Sequence, residues 1–159
     1  DGIYILESAD DQEKMLLSVK GLTPPGGEDM KMISSLAYSP EQKLLLYTIQ
    51  ERNSFTVFAH DLKQNKEVFA QRVSDGESAV MDISFDGSQR YVSIRYYGEG
   101  NMGFKLYDVQ KRHFVKAPFL DKAANAFWAG ENLLVEKEGA GGTIRWLYSP
   151  QTGTVSLGR

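Results

Sequence analysis

Ile33-Ser34-Ser35-Leu36-Ala37-Tyr38, then Ser39-Pro40-Glu41-Gln42-Lys43, then Leu44-Leu45-Leu46-Tyr47-Thr48-Ile49 is the stretch whose reading decides the fold. Its flanks carry apolar residues suited to a half-buried pleat, and its centre is a cluster of turn residues. The hydrophobic signal has a period of two, not 3.6. Phe55-Thr56-Val57-Phe58-Ala59-His60-Asp61 follows, then the turn Lys63-Gln64-Asn65-Lys66, then Val68-Phe69-Ala70. Strand, turn, strand recurs to the C-terminus at intervals of about 8–12 residues, which is the all-β pattern. Only two stretches have a composition compatible with helix. Glu7 to Leu17, with Ala9-Asp10-Asp11-Gln12-Glu13 inside it, reads as a polar turn, and Leu120 to Phe127 has room for one helical turn.

A shift of 47 residues lays the stretch on a second copy of itself. Ile33 falls on Val80, Leu36 on Ile83, Tyr38 on Phe85, Leu45 on Val92, Tyr47 on Ile94 and Ile49 on Tyr96. Gln42 falls on Gln89, Asp61 on Asp108 and Val68 on Val115. Few residues are identical, but the apolar positions agree in register. A one-residue slip would invert every side chain, so this agreement has physical content. A third copy aligns Ala126 and Trp128 with Ile83 and Phe85, and Leu133 and Val135 with Val92 and Ile94. Half a copy stands at the N-terminus, in Ile3 to Glu7 and Met15 to Val19.

The unit is four antiparallel strands in about 40–47 residues, the signature of a propeller blade. Tyr38-Ser39-Pro40-Glu41-Gln42-Lys43 and Phe85-Asp86-Gly87-Ser88-Gln89-Arg90 resemble the aromatic-Ser-Pro-Asp-Gly-Lys turn of TolB-like propeller repeats. The resemblance implies an all-β domain over residues 1–159: a half blade at 1–20 and blades at approximately 31–72, 79–119 and 124–159. It departs from the pattern at Ala129-Gly130-Glu131-Asn132, and no blade has the Trp-Asp ending of WD repeats. A β-sandwich is the competing architecture. Three and a half blades fall short of the 4–8 of closed propellers. The chain is thus expected to be a piece of a longer propeller, to self-associate, or to have its ends covered by a partner.

Composition narrows the function classes. The 159 residues are 42% apolar and 25% charged, ordinary for a globular domain. The net charge of −3 argues against nucleic acid as the main partner. With no cysteine there is no disulfide framework, zinc ribbon or thiol nucleophile. No apolar run is long enough for a membrane-spanning helix. The start at Asp1 and the missing cysteine favour an exported protein or the outer domain of an anchored one.

Catalytic and ligand motifs fail on context. Gly98-Glu99-Gly100-Asn101-Met102-Gly103 matches G-x-G-x-x-G, but it runs into a strand, whereas a dinucleotide loop opens a helix. His60 and Asp61 are sequence neighbours and point to opposite faces of a strand, so they form no triad. There is no nucleophile elbow and no spaced His/Cys set. No cofactor, metal site or enzymatic activity is expected. Asp61 and Asp108, one unit apart, are expected to accept hydrogen bonds from turn amides.

Blade topology gathers the longer connections on one face, and binding usually sits on loops held by a rigid scaffold. These connections are Gly21 to Met32, Ser74 to Ser78, Tyr97 to Gly103, Pro118 to Asn125 and Glu138 to Gly142. Glu28, Asp29, Asp75, Glu77, Glu99, Asp121 and Glu138 outnumber Lys31 and Lys122 there, so the face is expected to be acidic. Tyr97 and Trp146 are the aromatics expected to be available for recognition, with Asn101 beside them in the glycine loop. The expected function is a non-catalytic scaffold that binds a protein through this face. The alternatives are a propeller segment accessory to a prolyl-oligopeptidase-like hydrolase, and a domain sensing a ligand or sugar.

Overall fold

The computed structural model describes residues 2–7, 12–23, 30–73, 79–98 and 100–158. They form a two-stranded hairpin and three four-stranded antiparallel sheets. The hairpin pairs β1 (Gly2–Glu7) with β2 (Gln12–Ser18). The first full sheet runs β3 (Lys31–Ser39), β4 (Leu44–Glu51), β5 (Ser54–Asp61), β6 (Lys66–Val73). The second runs β7 (Ala79–Phe85), β8 (Tyr91–Gly98), β9 (Asn101–Asp108), β10 (His113–Val115). The third runs β11 (Asn125–Ala129), β12 (Asn132–Gly139), β13 (Gly142–Ser149), β14 (Thr154–Leu157). Within each, every strand pairs only with its chain neighbours, in sequence order.

The sheets stack face to face, and each interface has its own core. Ile3 and Val19 of the N-terminal segment pack on Leu45, Tyr47 and Ile49 of β4. Leu46 of β4 and Phe55 and Val57 of β5 meet Val80, Val92, Ile94 and Tyr107 of the second sheet. Leu106 of β9 shares a third cluster with Leu133, Val135 and Tyr148. Thus β4 is buried from Leu44 to Gln50 because both its faces are covered, odd residues on one side and even on the other. Burying apolar area on both sides of successive sheets is the main driving force for this stack.

Successive sheets approach most closely along their first strands. The Gly87 amide donates to the Gly130 carbonyl at 2.8 Å, and Trp128 Nε1 to the Ser84 carbonyl at 3.0 Å. A Cβ on Gly87 would stand 3.1 Å from the Gly130 carbonyl carbon, so glycine permits the approach. Gln42 and Gln89, equivalent in the repeat, touch across the first interface: Gln42 Nε2 donates to the Gln89 carbonyl, and Ser39 Oγ donates to Gln89 Oε1. The outer strands β6 and β14 are mostly exposed. No buried cluster joins the third sheet to the N-terminal hairpin among the described residues, so the run stays open.

Among the described residues the one helical turn is a 3-10 turn at Pro118–Leu120. It overlaps the Leu120 to Phe127 segment, where one helical turn is expected, only at Leu120, and Asn125 to Phe127 already belong to β11. Pro118 supplies the fixed φ that starts such a turn.

Candidate interaction cleft

The sheets diverge outward, and the space between them opens where β10 stops short. A cleft of about 580 Å³ lies there, walled by the end of β6 (Gln71, Arg72, Val73), by Phe104, Lys105 and Leu106 of β9, and by Phe114 to Pro118. A second cleft of about 350 Å³ adjoins it, between Asn101 to Lys105 and Leu120 to Lys122. Phe104, Lys105 and Asp121 belong to both.

The local sequence explains the shape. Ala117-Pro118 ends the β10 pairing and turns the chain into the 3-10 turn. Leu120 is anchored in the core between the second and third sheets, which fixes the wall that carries Asp121. The Asp121 amide closes the turn onto the Pro118 carbonyl at 3.1 Å, and its own carbonyl accepts from Lys137 Nζ at 3.2 Å. Arg72 lies opposite Thr56 and so turns its side chain to the other face of the first sheet, where Nη2 donates to Ser54 Oγ at 2.9 Å and stands 3.5 Å from Glu51 Oε2. Lys105 Nζ stands 5.6 Å from the centre of the Tyr96 ring, a cation–π arrangement. The floor is apolar, and the charged side chains at the rim are Lys105, Lys116 and Lys122 against Asp121, among the described residues.

Of the residues singled out from sequence, Asn101 and Asp121 come together on the smaller cleft. Tyr97 is 46% exposed near the end of β8, paired with Met102, and lines neither cleft. Trp146 is engaged in packing: its ring meets Phe119 edge-on at 5.9 Å, against the third core cluster. Glu28, Asp29, Asp75, Glu77 and Glu99 lie outside the described residues. Among the described residues the cleft carries Lys105 from β9, Lys116 from the link after β10, and Lys122 beside Asp121 in the Pro118 to Asn125 connection. Lys105 and Lys116 went unremarked in the sequence because they sit on two segments that only the fold brings together.

The glycine motif has a structural account. Gly98 pairs with Asn101 across a two-residue hairpin turn, and Gly100 takes φ +77°. Gly103 lies under the Tyr96 ring, where any Cβ would collide with it. Among the described residues, no three His, Cys, Asp or Glu side chains converge on a metal-sized site, and no helix is long and apolar enough to cross a membrane.

Three sheets of four neighbour-paired strands, meeting at their first strands and splaying outward, have counterparts among solved structures. The β-propeller domain of the Trilobed protease from Pyrococcus furiosus superposes with a TM-score of 0.52 at 13% identity, covering 79% of this chain and 41% of that one. TolB from Acinetobacter baumannii gives a TM-score of 0.52 at 16% identity, covering 98% of this chain and 37% of that one. The fold is a run of β-propeller blades. That fold agrees with the resemblance of the turn sequences to TolB-like propeller repeats. The chain spans about two-fifths of the length of these structures. No family model matches it, and no curated protein matches it.

Proposed function

We propose that this propeller module is a non-catalytic interaction scaffold and that it holds a protein partner in the cleft beside β9. The observation that carries the reading is the make-up of that cleft. Three separate segments, fixed by buried strands and by Leu120, build one concavity with an apolar floor and a charged rim. Such a surface suits a macromolecular ligand with mixed chemistry. The absence of cysteine leaves the fold indifferent to redox conditions, which suits a place outside the cytoplasm. Cell fractionation of the native source checks that placement.

The test of the binding reading is site-specific photo-cross-linking in extract from the native source. A cross-linker at Lys116 or Asp121, on the cleft, is compared with one at Gln64, on the turn at the opposite end of β6. A discrete protein adduct at the cleft positions and none at Gln64 is expected. Equal labelling at all three, or none, overturns the assignment. A second reading, a propeller segment serving a hydrolase, draws on the protease propeller among the matched folds. A hydrolase domain encoded in the same reading frame would replace the scaffold reading with this one.

A further inference from the structure

The N-terminal end of the run leaves one strand uncovered. Leu36 of β3 pairs with Tyr47, Ile83 of β7 with Ile94, and Ala126 of β11 with Val135, so the three residues hold the same place in their sheets. Ile83 is 4% exposed and Ala126 8%, but Leu36 is 49% exposed. The preceding sheet accounts for the difference. β7 lies against β3, β4 and β5, and Ile83 belongs to the core they share. Before the first full sheet stands only the β1–β2 hairpin. Ile3 of β1 packs on Leu45, Tyr47 and Ile49 of β4, as Leu106 of the third strand β9 packs on Leu133 and Val135 of β12. β1 therefore stands in the place of a third strand. Among the described residues no strand fills the first and second places, where β3 and β4 stand over β7, and none pairs with the inner edge of β1.

We propose that a two-stranded β-hairpin of a partner protein fills these two places: it pairs with the inner edge of β1, covers Leu36 and completes the half blade. This surface shares no residue with the cleft beside β9 and does not depend on it. Three features fit the occupant. On β3, Ile33 and Tyr38 already pack on the N-terminal core and Leu36 between them does not, so the bare strip is about one strand wide. β1 reads Gly2-Ile3-Tyr4-Ile5-Leu6-Glu7, with its one charge at the end. It lacks the lysines and prolines that guard an edge against pairing. A cavity of about 800 Å³ lies between Met15 and Tyr38, Gln42 and Leu62, room for the turn of the added hairpin. That turn would meet Gln42 as Gln42 meets the Gln89 turn across the next interface. Main-chain pairing supplies affinity in this mode, and alternate apolar side chains facing Leu36 supply specificity.

A second copy of the chain fits less well. Strands β3 to β14 all belong to complete four-stranded sheets, so another copy has only its own β1–β2 hairpin to offer. Antiparallel pairing, the commoner kind, would join two β1 edges about a two-fold axis normal to the sheet. Both first sheets would then lie on the same side of the joined sheet, and each would claim the space over both hairpins.

The test uses the whole chain and, as probe, a disulfide-closed synthetic copy of Lys31 to Glu51, the hairpin that covers β7 in the next interface. The same peptide with Leu46→Glu, which spoils its packing face, is the control. The probe is expected to bind the purified chain and to slow amide exchange along β1, and the control to do neither. Leu36→Glu in the chain is expected to weaken the probe by at least about tenfold and to leave the urea midpoint unchanged, since the site is half exposed. A photo-cross-linker at Leu36, in extract from the native source, then identifies the occupant by mass spectrometry of the attached peptide. The expected adduct is one protein, attached through two alternating apolar runs joined by a turn, and displaced by the probe. Cross-links from Lys116 are expected to survive Leu36→Glu, which separates this surface from the cleft. Probe binding without β1 protection, or equal binding to the Leu36→Glu chain, overturns blade completion. An adduct to a second copy, or to residues of the same polypeptide, overturns the partner. No probe binding and no adduct overturn both.

Discussion

Asp108 repeats, one blade on, the turn geometry of Asp61. Asp61 Oδ1 accepts from the Lys63 and Gln64 amides at 2.9 and 3.0 Å; Asp108 Oδ1 accepts from those of Gln110 and Lys111, both at 3.0 Å. Each carboxylate shapes the four-residue turn between its blade's third and fourth strands. The environments differ. The Asp108 side chain is almost wholly buried, and its Oδ2 lies 3.3 Å from Arg90 Nη2, whereas Asp61 stands partly in solvent.

The same substitution should therefore have two costs. Asp61→Ala removes two turn hydrogen bonds at a wet site and is expected to cost about 1 kcal/mol. Asp108→Ala also strands a guanidinium whose Nε is already buried without a partner, and breaking such a pair costs about 3–5 kcal/mol. Urea unfolding of the two variants, with unchanged m-values, checks the difference. Equal midpoints would refute the role given to Arg90.

The turn's last residue offers a second comparison. Asn65, Arg112 and Gly153 hold equivalent places in the three blades and take φ of 49°, 55° and 70°. The left-handed region suits glycine, is tolerated by asparagine, and costs other residues roughly 1–2 kcal/mol. Arg112→Gly is expected to stabilise the chain by about 1 kcal/mol, with Asn65→Gly close to neutral. Gly153→Ala is expected to destabilise it by about 1 kcal/mol. Thermal melts read all three, and a fall in midpoint for Arg112→Gly would contradict the strain argument.

These turns show why so much of the fold was legible. Leu45, Val92 and Leu133 are each fully buried at equivalent positions. A strand covered on both faces must keep its apolar residues in register, so the repeat survives in the pattern although few identities remain. The Asp61–Asp108 recurrence was legible because a turn carries its own chemistry. The cleft was not. It depends on β10 being three residues long, and no local signal in His113-Phe114-Val115 tells that pairing will stop before Lys116. Trp146 misled for the opposite reason: its neighbour Phe119 lies outside the repeated strands, on a connection whose path periodicity does not reveal.

Gly103 and Tyr96 should be energetically coupled. The ring of Tyr96 covers the glycine and also packs on Phe55, centroids 5.6 Å apart. Gly103→Ala is expected to displace the ring and cost about 2–3 kcal/mol, in the range of overpacking changes. Gly100→Ala, with open space but φ +77°, should cost about 1 kcal/mol. In the Tyr96→Ala background the Gly103→Ala penalty should nearly vanish, an interaction a double-mutant cycle measures directly. Additive penalties would place the strain elsewhere.

Alkali should unfold the protein through two buried phenols. Burial pushes the Tyr47 hydroxyl up to about 12, helped by the negative charge of Glu67. Burial does the same for Tyr107, to about 12; Arg112 opposes it and Asp108 adds to it. An unfolded tyrosine loses its proton near pH 10. Between about pH 10 and 12 the folded state therefore holds protons that the unfolded state has released, and stability falls as pH rises. The contribution is fully present below pH 10, and each tyrosine accounts for roughly 2–3 kcal/mol by the upper end. Tyr107→Phe and Tyr47→Phe should each flatten the decline in urea midpoint measured from pH 9 to 12, about equally, and the double variant more than either. A profile unchanged by both substitutions would show that other groups govern the alkaline limb.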